Sequence, residues 1–370
     1  MNITFVISSL AAGGAQRVMS LLANHWAQVG YRVTLLAFSR PGVEPYFPLA
    51  SHVKYVPLGI EGESSNLIEG ISKNLRRIIH LRRAIRVSAP QVVISFMDQV
   101  NVLTVLATRG LGVPIIVSVR VDPLSAPTGE IWRFLRNRVY PFANRIVVQT
   151  RLVRQSFPQK LQDKVAIIPN PVLPPPPVTY PRLPASTHSM IAIGRLTEQK
   201  GFDLLIRAFS ELSPRHPDWR LTILGDGPLR PELQRLRVQL GLVGLADFPG
   251  EVKHVHQYLE QADVFVLSSR YEGFPNSLCE AMACGLAVVA TDCRSGPGEI
   301  IEDGINGLLA IPDNVHSLAS CMDRLMSNEG ERKRLGGNAS RITERFESGK
   351  IIGMWESLAR EVAQQPKSSQ

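Results

Sequence analysis

The chain has 370 residues, 44% of them hydrophobic and 20% charged, with a formal net charge of +9. That length is too great for one ordinary core and implies two domains of roughly 150–200 residues, with the composition of a soluble globular protein. No apolar run approaches the ~20 residues that span a bilayer. The start, Met1-Asn2-Ile3-Thr4-Phe5-Val6-Ile7, lacks the basic segment and cleavage site of a signal peptide and reads as a buried strand. The four cysteines, Cys279, Cys284, Cys293 and Cys321, show no zinc spacing and read as small buried hydrophobes in a reducing cytoplasm. The charge is uneven: the first 180 residues carry 20 Lys and Arg against 8 Asp and Glu, a balance of +12, and the remainder stands at −3. A basic half implies an anionic partner, whether nucleic acid, an acidic lipid surface or a phosphorylated substrate.

In chain order, β-rich runs predict strands at residues 3–9, 32–38, 53–57, 92–96, 115–119, 145–149 and 165–168. Helical patterns at 14–28, 67–87, 101–109 and 130–140 lie between them. Such alternation implies βαβ units and a parallel sheet. The run Pro171-Val172-Leu173-Pro174-Pro175-Pro176-Pro177, with Pro181 and Pro184 beyond it, supports neither helix nor strand and makes 171–187 a semi-rigid spacer. The alternation then restarts, with strands at 190–193, 220–224, 264–267, 287–290 and 308–311 and helices at 202–212, 231–240 and 276–284. Helical pattern runs from about 315 to 363 before a polar tail. The expected organisation is α/β, with two doubly wound domains at 1–170 and 188–346. The segment 347–370 is expected to pack a helix back toward the first domain.

Three segments carry chemistry. After the first strand comes Ala11-Ala12-Gly13-Gly14-Ala15-Gln16-Arg17. A strand, a diglycine and a helix start gather free backbone N–H groups where a phosphate can sit, although a merely tight turn reads the same way. It is neither a dinucleotide fingerprint nor a P-loop. The second domain opens with a strand and Gly194-Arg195-Leu196-Thr197-Glu198-Gln199-Lys200-Gly201. Arg195 and Lys200 leave the carboxyl end of that strand, where α/β sheets bind ligands. They are either a diphosphate clamp or two solvated cations. The third segment, Ser268 to Gly285, follows an apolar strand and opens a helix near Asn276, with Pro275 suited to its start. Glu272 lies in the loop and Glu280 one turn into an apolar helix. Carboxylates in such places need partners, either sugar and ribose hydroxyls or a cap and a core ion pair.

The Glu-x7-Glu spacing from Glu272 to Glu280, in the setting EGFPNSLCEAMACG, strongly resembles retaining GT-B glycosyltransferases of the large group 1 family (family 4 of the sugar-transferase classification). GGAQR, IPNPV at 168–172, GRLTEQKG and LGDGP at 224–228 stand in the order that family has, so the resemblance spans about residues 1–350. It implies a GT-B fold, two Rossmann-like domains facing across a cleft, with the nucleotide sugar in the second and the acceptor in the first. By resemblance Arg195 and Lys200 are the donor-diphosphate pair, Glu280 holds the ribose and Glu272 faces the donor sugar. Backbone amides around Phe274, Asn276, Ser277 and Leu278 receive phosphate, Gly194 lines the same loop, and Gly14 belongs to the loop closing over the donor.

Two departures stand beside this. None of the eight histidines sits at a strand end of the first domain, where many relatives place one. The nearest site-like segment is Ser118-Val119-Arg120-Val121-Asp122-Pro123, where a subgroup acting on polyprenyl-diphosphate sugars often has Ser-Glu-Arg-Asn-Asp-Pro. Arg120 and Asp122 remain acceptor candidates there, and the 272–300 region also matches that subgroup. In the 67–87 helix, Lys73, Arg76, Arg77, His80 and Arg83 form one stripe at ~100° per residue, with Ile71, Leu75, Ile78 and Ile85 opposite. The stripe is a solvated face, or it meets anionic lipid or an acceptor diphosphate.

The expected function is transfer of a hexose or N-acetylhexosamine, with retention, from a nucleotide-diphosphate sugar, UDP by resemblance. The expected acceptor is a polyprenyl-diphosphate-linked glycan in bacterial surface polysaccharide or glycoconjugate assembly. No Asp-x-Asp occurs, so neither a metal clamp nor a cofactor is expected, and the nucleotide sugar is a co-substrate. The expected location is cytoplasmic, peripheral on the inner leaflet, with no nucleic-acid partner because no recognition module is present. The rival readings are a nucleotide-sugar epimerase on the same fold and a nucleotide-sugar-binding protein without turnover.

Overall fold

The computed structural model describes residues 1–62, 67–125, 129–177 and 188–365. Pro181, Pro184 and the polar tail from residue 366 lie outside the described residues. The chain divides into two compact units, Met1–Asn170 with Gly349–Gln370, and Pro171–Ser348.

The first unit carries β1 (Asn2–Ile7), α1 (Gly14–Gln28), β2 (Arg32–Ala37), β3 (Val53–Pro57), α2 (Leu67–Ser88), β4 (Val92–Phe96) and α3 (Asp98–Thr108). These are followed by β5 (Ile115–Ser118), α4 (Glu130–Val139), β6 (Arg145–Val148), α5 (Arg151–Gln155) and β7 (Val165–Ile167). The sheet order is β3-β2-β1-β4-β5-β6-β7, and every pairing is parallel. Helices cover both faces, so the strands are apolar on both sides: β4, Val-Val-Ile-Ser-Phe, is buried at all five positions.

The second unit begins with β8 (His188–Ile193), α6 (Phe202–Leu212), β9 (Trp219–Leu224), α7 (Arg230–Gln239), β10 (Ala246–Gly250), α8 (Val255–Leu259), β11 (Val264–Leu267) and α9 (Asn276–Ala283). It continues with β12 (Ala287–Thr291), α10 (Pro297–Ile300), β13 (Leu308–Ala310), α11 (Val315–Ser327), α12 (Glu329–Ala339) and α13 (Ile342–Arg345). Its order, β10-β9-β8-β11-β12-β13, is also all parallel. β10 and α8 are absent from the sequence reading. Ala-Asp-Phe-Pro-Gly looks like a turn, and its Pro249 is tolerated because the strand lies at the sheet edge. The single helical pattern expected from 315 to 363 is divided instead. Asn314 and Asn328 cap fresh helix starts by accepting from the N–H groups of Ser317 and Glu331.

The last helix, α14 (Ser348–Gln364), presents Ile351, Ile352, Trp355, Leu358, Ala359 and Val362 to the core of the first unit, alongside Phe5, Trp26 and Phe96. The spacing i, i+3/i+4, i+7 puts these side chains on one face. Trp355 is fully buried with its ring centroid 5.7 Å from that of Phe96. Trp355→Ala is expected to lower stability in urea denaturation by about 3–5 kcal/mol; a loss below 1 kcal/mol would mean α14 adds little to this core.

Candidate active site

In both sheets the strand order reverses direction, between β1 and β4 in the first unit and between β8 and β11 in the second. Neighbouring connections leave opposite ways at such a point and open a crevice at the carboxyl ends. In the second unit the two loops flanking it are those after β8 and β11, which hold GRLTEQKG and SSRYEGFPN.

These loops are joined by one ion pair. Lys200 Nζ donates to Glu272 Oε1 at 2.6 Å, with the side chains 17% and 7% exposed. Ser269 Oγ donates to the same oxygen at 2.7 Å, and Ser295 Oγ donates to the Glu272 carbonyl at 2.6 Å. The Lys200 methylenes lie across Gly194, where a Cβ would meet them at 3.0 Å. Gly201, at φ +58°, lets the Ser268 carbonyl approach so closely that a Cβ there would overlap its oxygen. The LGDGP turn supports the first loop from below: Leu196 N–H donates to the Asp226 carbonyl and Leu229 N–H to that of Leu196. Arg270 fastens the outer side. It makes two 2.8 Å bonds to the Asp203 carboxylate, one to the Glu198 carbonyl and one ion pair to Asp313 at 2.9 Å. Burial raises the Asp203 pKa, but the guanidinium outweighs it and holds the carboxyl below its usual range.

The sequence candidates sort accordingly. Lys200 and Glu272 are brought together; Arg195 is exposed, its carbonyl accepts from Thr197 N–H at 2.8 Å, and its side chain makes no hydrogen bond or ion pair among the described residues. Glu280 is half-buried on α9. Phe274 and Leu278 turn their side chains into the core, Phe274 edge-on against Phe346, so only their backbone can meet a ligand. Pro275 gives α9 no side-chain cap, and the helix starts with Asn276 and Ser277. Arg270, Ser269 and Ser295 were not singled out from sequence; Arg270's partner Asp203 lies 67 residues away, and no spacing signals it. Burial first, then Glu272, pushes the Cys293 thiol to about 12 against the pull of Lys200, so it stays a neutral thiol. All four cysteines are free.

In the first unit, Gly14 is the exposed first residue of α1, after an extended Gly13. Arg120 leaves the end of β5, and its Nη1 donates to Asn170 Oδ1 at 2.6 Å. Asp122, an acceptor candidate by sequence, is fully buried and fastens its own loop. It accepts from Leu124 N–H at 3.1 Å, Ser125 Oγ at 2.9 Å and Ser156 Oγ at 3.1 Å. The α2 stripe also needs correction. Arg77 donates to the carbonyls of Ile60 and Gly62 and to Asn74, and Lys73 pairs with Glu69 at 2.6 Å, which leaves Arg76 and Arg83 as its exposed arginines. Ile71 and Leu75, placed opposite the stripe by periodicity, are exposed with Ile79, and the inward residues are Leu81 and Ile85. α2 packs on α3 and α3 on α4, whose Ile131 and Phe134 are exposed as well.

This arrangement has known counterparts. The family described as "Glycosyl transferase 4-like domain" matches residues 13–171, and "Glycosyl transferases group 1" matches residues 182–342. The chain is 29% identical over 363 residues to a Campylobacter jejuni α-1,4-N-acetyl-D-galactosaminyltransferase, covering 98% of this chain and 99% of that one. Its name gives as substrate a GalNAc glycan on PP-undecaprenol. It is 25% identical to the amylovoran biosynthesis glycosyltransferase AmsD of Erwinia amylovora, over 94% of this chain and 96% of that one. Among solved structures, sucrose-phosphate synthase of Thermosynechococcus elongatus superposes with a TM-score of 0.81 at 18% identity, over 97% and 98% of the two chains. HepE of Anabaena in complex with UDP gives 0.75 at 17% identity, over 98% and 100%. The fold is GT-B, and the chain belongs to the group 1, family-4-like glycosyltransferases.

The close approach at Gly201 yields a paired prediction. Gly201→Ala forces a side chain onto a left-handed backbone against the Ser268 carbonyl and should cost about 1–3 kcal/mol. Gly353→Ala, in α14 with nothing within 4 Å of a built Cβ, should instead stabilise by up to about 1 kcal/mol. Urea denaturation of both checks the signs; equal shifts would contradict this geometry.

Proposed function

We propose that the second unit holds a nucleotide-diphosphate sugar, UDP being the nucleotide, and transfers its hexose or N-acetylhexosamine with retention to a polyprenyl-diphosphate-linked glycan. The observation that carries this is the Lys200–Glu272 pair at the β8/β11 reversal, with Arg195 and the α9 start on either side. In the transfer, the bond from C1 of the sugar to the diphosphate oxygen breaks and its electron pair goes to the diphosphate. The acceptor hydroxyl oxygen then bonds to C1, and its proton leaves. The negative charge that grows on the diphosphate is where fixed cations lower the barrier most. Lys200 is pre-oriented by Glu272 and keeps two further N–H donors, Arg195 supplies an exposed guanidinium, and helix-start amides add partial positive charge. Glu280 is assigned to the ribose. Metal-free neutralisation of the diphosphate belongs to the same proposal.

The donor assignment draws on the Anabaena structures, whose titles name UDP and UDP-glucose. The acceptor assignment draws on the Campylobacter enzyme, whose name gives a PP-undecaprenol glycan. No helix among the described residues is long and apolar enough to cross a membrane, so such an acceptor is met at a surface. The outward face of α2, with Ile71, Leu75 and Ile79 beside Arg76 and Arg83, and the exposed Ile131 and Phe134 of α4, have the mixture that lies in an anionic lipid interface. This face supports a peripheral location, proposed to be at the inner leaflet.

Arg195→Ala and Lys200→Ala should each lower UDP release from a UDP-sugar and lipid-linked acceptor by roughly 10²–10³-fold, with unchanged circular dichroism. Near-wild-type turnover in both would overturn the donor site. Reversing Arg76 and Arg83 to Glu, with the loop anchor Arg77 left intact, should weaken sedimentation with anionic liposomes at least tenfold, at ~1 kcal/mol per cation. Unaltered liposome binding would remove α2 from the membrane face.

A further inference from the structure

The carboxyl edge of the first sheet holds a group of buried polar atoms that make no hydrogen bond among the described residues. Arg120 extends from β5 over the ring of Phe96, its guanidinium carbon 3.7 Å from that centroid and 5.8 Å from the Trp355 ring. Nη1 reaches Asn170, but Nε and Nη2 are both buried without a partner. Burial lowers its pKa to about 9, and no carboxylate among the described residues acts on it. Gln149, at the end of the adjacent β6, is buried with both amide atoms unpartnered, and the hydroxyl of Ser118 and Nε1 of Trp355 are in the same condition. The register brings these residues to one edge: Val119 N–H donates to the Val147 carbonyl and Ile168 N–H to that of Val148. Arg120, Gln149 and Asn170 therefore leave three neighbouring strands at the same end.

The contrast lies on the same strand ends. Asn101 accepts from Ser95 and donates to the Ser118 carbonyl and to Tyr140, which donates to Asp98, itself paired with Arg136. That network is complete, as buried polar groups in native proteins generally are. An unpaired guanidinium beside it is costly and calls for a counter-charge. Nε–H and Nη2–H lie in the guanidinium plane and point the same way, and this edge is the fork that grips two oxygens of a carboxylate or phosphate. Turning the Gln149 amide aside to admit a ligand breaks no hydrogen bond.

We propose that Arg120 is an anion fork of the first unit, its Nε/Nη2 edge taking two oxygens of a substrate phosphate or diphosphate while Gln149 and Ser118 supply neutral hydrogen bonds. The transferase reading enters only in deciding which substrate carries that group: a prenyl diphosphate of the acceptor or the diphosphate of the nucleotide.

The full-length protein is compared with Arg120→Met and Gln149→Leu by calorimetric titration with UDP, then with farnesyl diphosphate in the presence of saturating UDP. Arg120→Met should lose at least tenfold in affinity in one arm. Loss for farnesyl diphosphate assigns the fork to the acceptor, and loss for UDP assigns it to the nucleotide. Gln149→Leu should lose about threefold to tenfold in the same arm. Ligand-free Arg120→Met should melt no lower than the wild type, because an apolar side chain of similar volume replaces an uncompensated buried charge. Wild-type affinity in both arms overturns the proposal. So does a ligand-free Arg120→Met that melts several degrees lower, whatever it binds, since the guanidinium is then a structural group. If UDP fails to bind the wild type, the donor reading falls, and farnesyl diphosphate titrated without UDP still decides this one.

Discussion

A lysine ammonium and a glutamate carboxylate 2.6 Å apart, both largely withdrawn from water, hold the two loops at the β8/β11 reversal together. Each charge is costly there alone. Removing one partner of a buried pair costs about 3–5 kcal/mol, mostly as the penalty on the partner left behind. The surrounding geometry serves that pair. Gly194 makes room for the Lys200 stem, Gly201 lets the loop close on Ser268, and Ser269 satisfies a second lone pair of the carboxylate oxygen. The Ser295 hydroxyl pins the backbone of Glu272. On the proposed reading, a cation fixed in this way would meet a leaving diphosphate without reorganising when charge develops, which is the source of electrostatic catalysis.

The same construction appears in both units with different results. Each is a parallel sheet whose order reverses once, so each has a crevice at its carboxyl edge. In the second unit the edge charges are mutually paired and the remaining donors face outward. In the first, Arg120 lies against aromatic rings with part of its fork unpartnered, while Asp122, two residues on, is engaged by its own loop and by Ser156 at the end of α5. The net positive charge of the first half thus has both a local expression at the strand ends and a surface expression on α2.

Most of the fold was legible because parallel strands buried on both faces read as apolar runs, and Val92–Phe96, Val264–Leu267 and Phe202–Leu212 appear with the bounds expected. What failed depended on partners rather than on pattern. Periodicity in α2 gives the angles between side chains, but both its faces carry isoleucine and leucine, so only packing on α3 shows that Ile71 and Leu75 look outward. Arg77 looked like its neighbours until the carbonyls of Ile60 and Gly62 were brought beneath it. Lys200 and Glu272 were both legible as candidates; their pairing was not, because it crosses 72 residues through the alignment of β8 with β11. Gln149 is unremarkable in the sequence and becomes notable only when the register sets it beside Arg120.

The central claim is that Glu272 acts on the donor by holding Lys200, so that the two contribute to nucleotide binding as one unit. A double-mutant cycle on UDP affinity, with Lys200→Met, Glu272→Gln and the two combined, measures this directly. Residues in one ion pair couple, whereas independent sites add to within about 0.3–0.5 kcal/mol. The account predicts that the double variant binds UDP no more weakly than Lys200→Met alone. Losses that sum to within about 0.5 kcal/mol would contradict it, and would make Glu272 and Lys200 separate contacts that happen to lie close together.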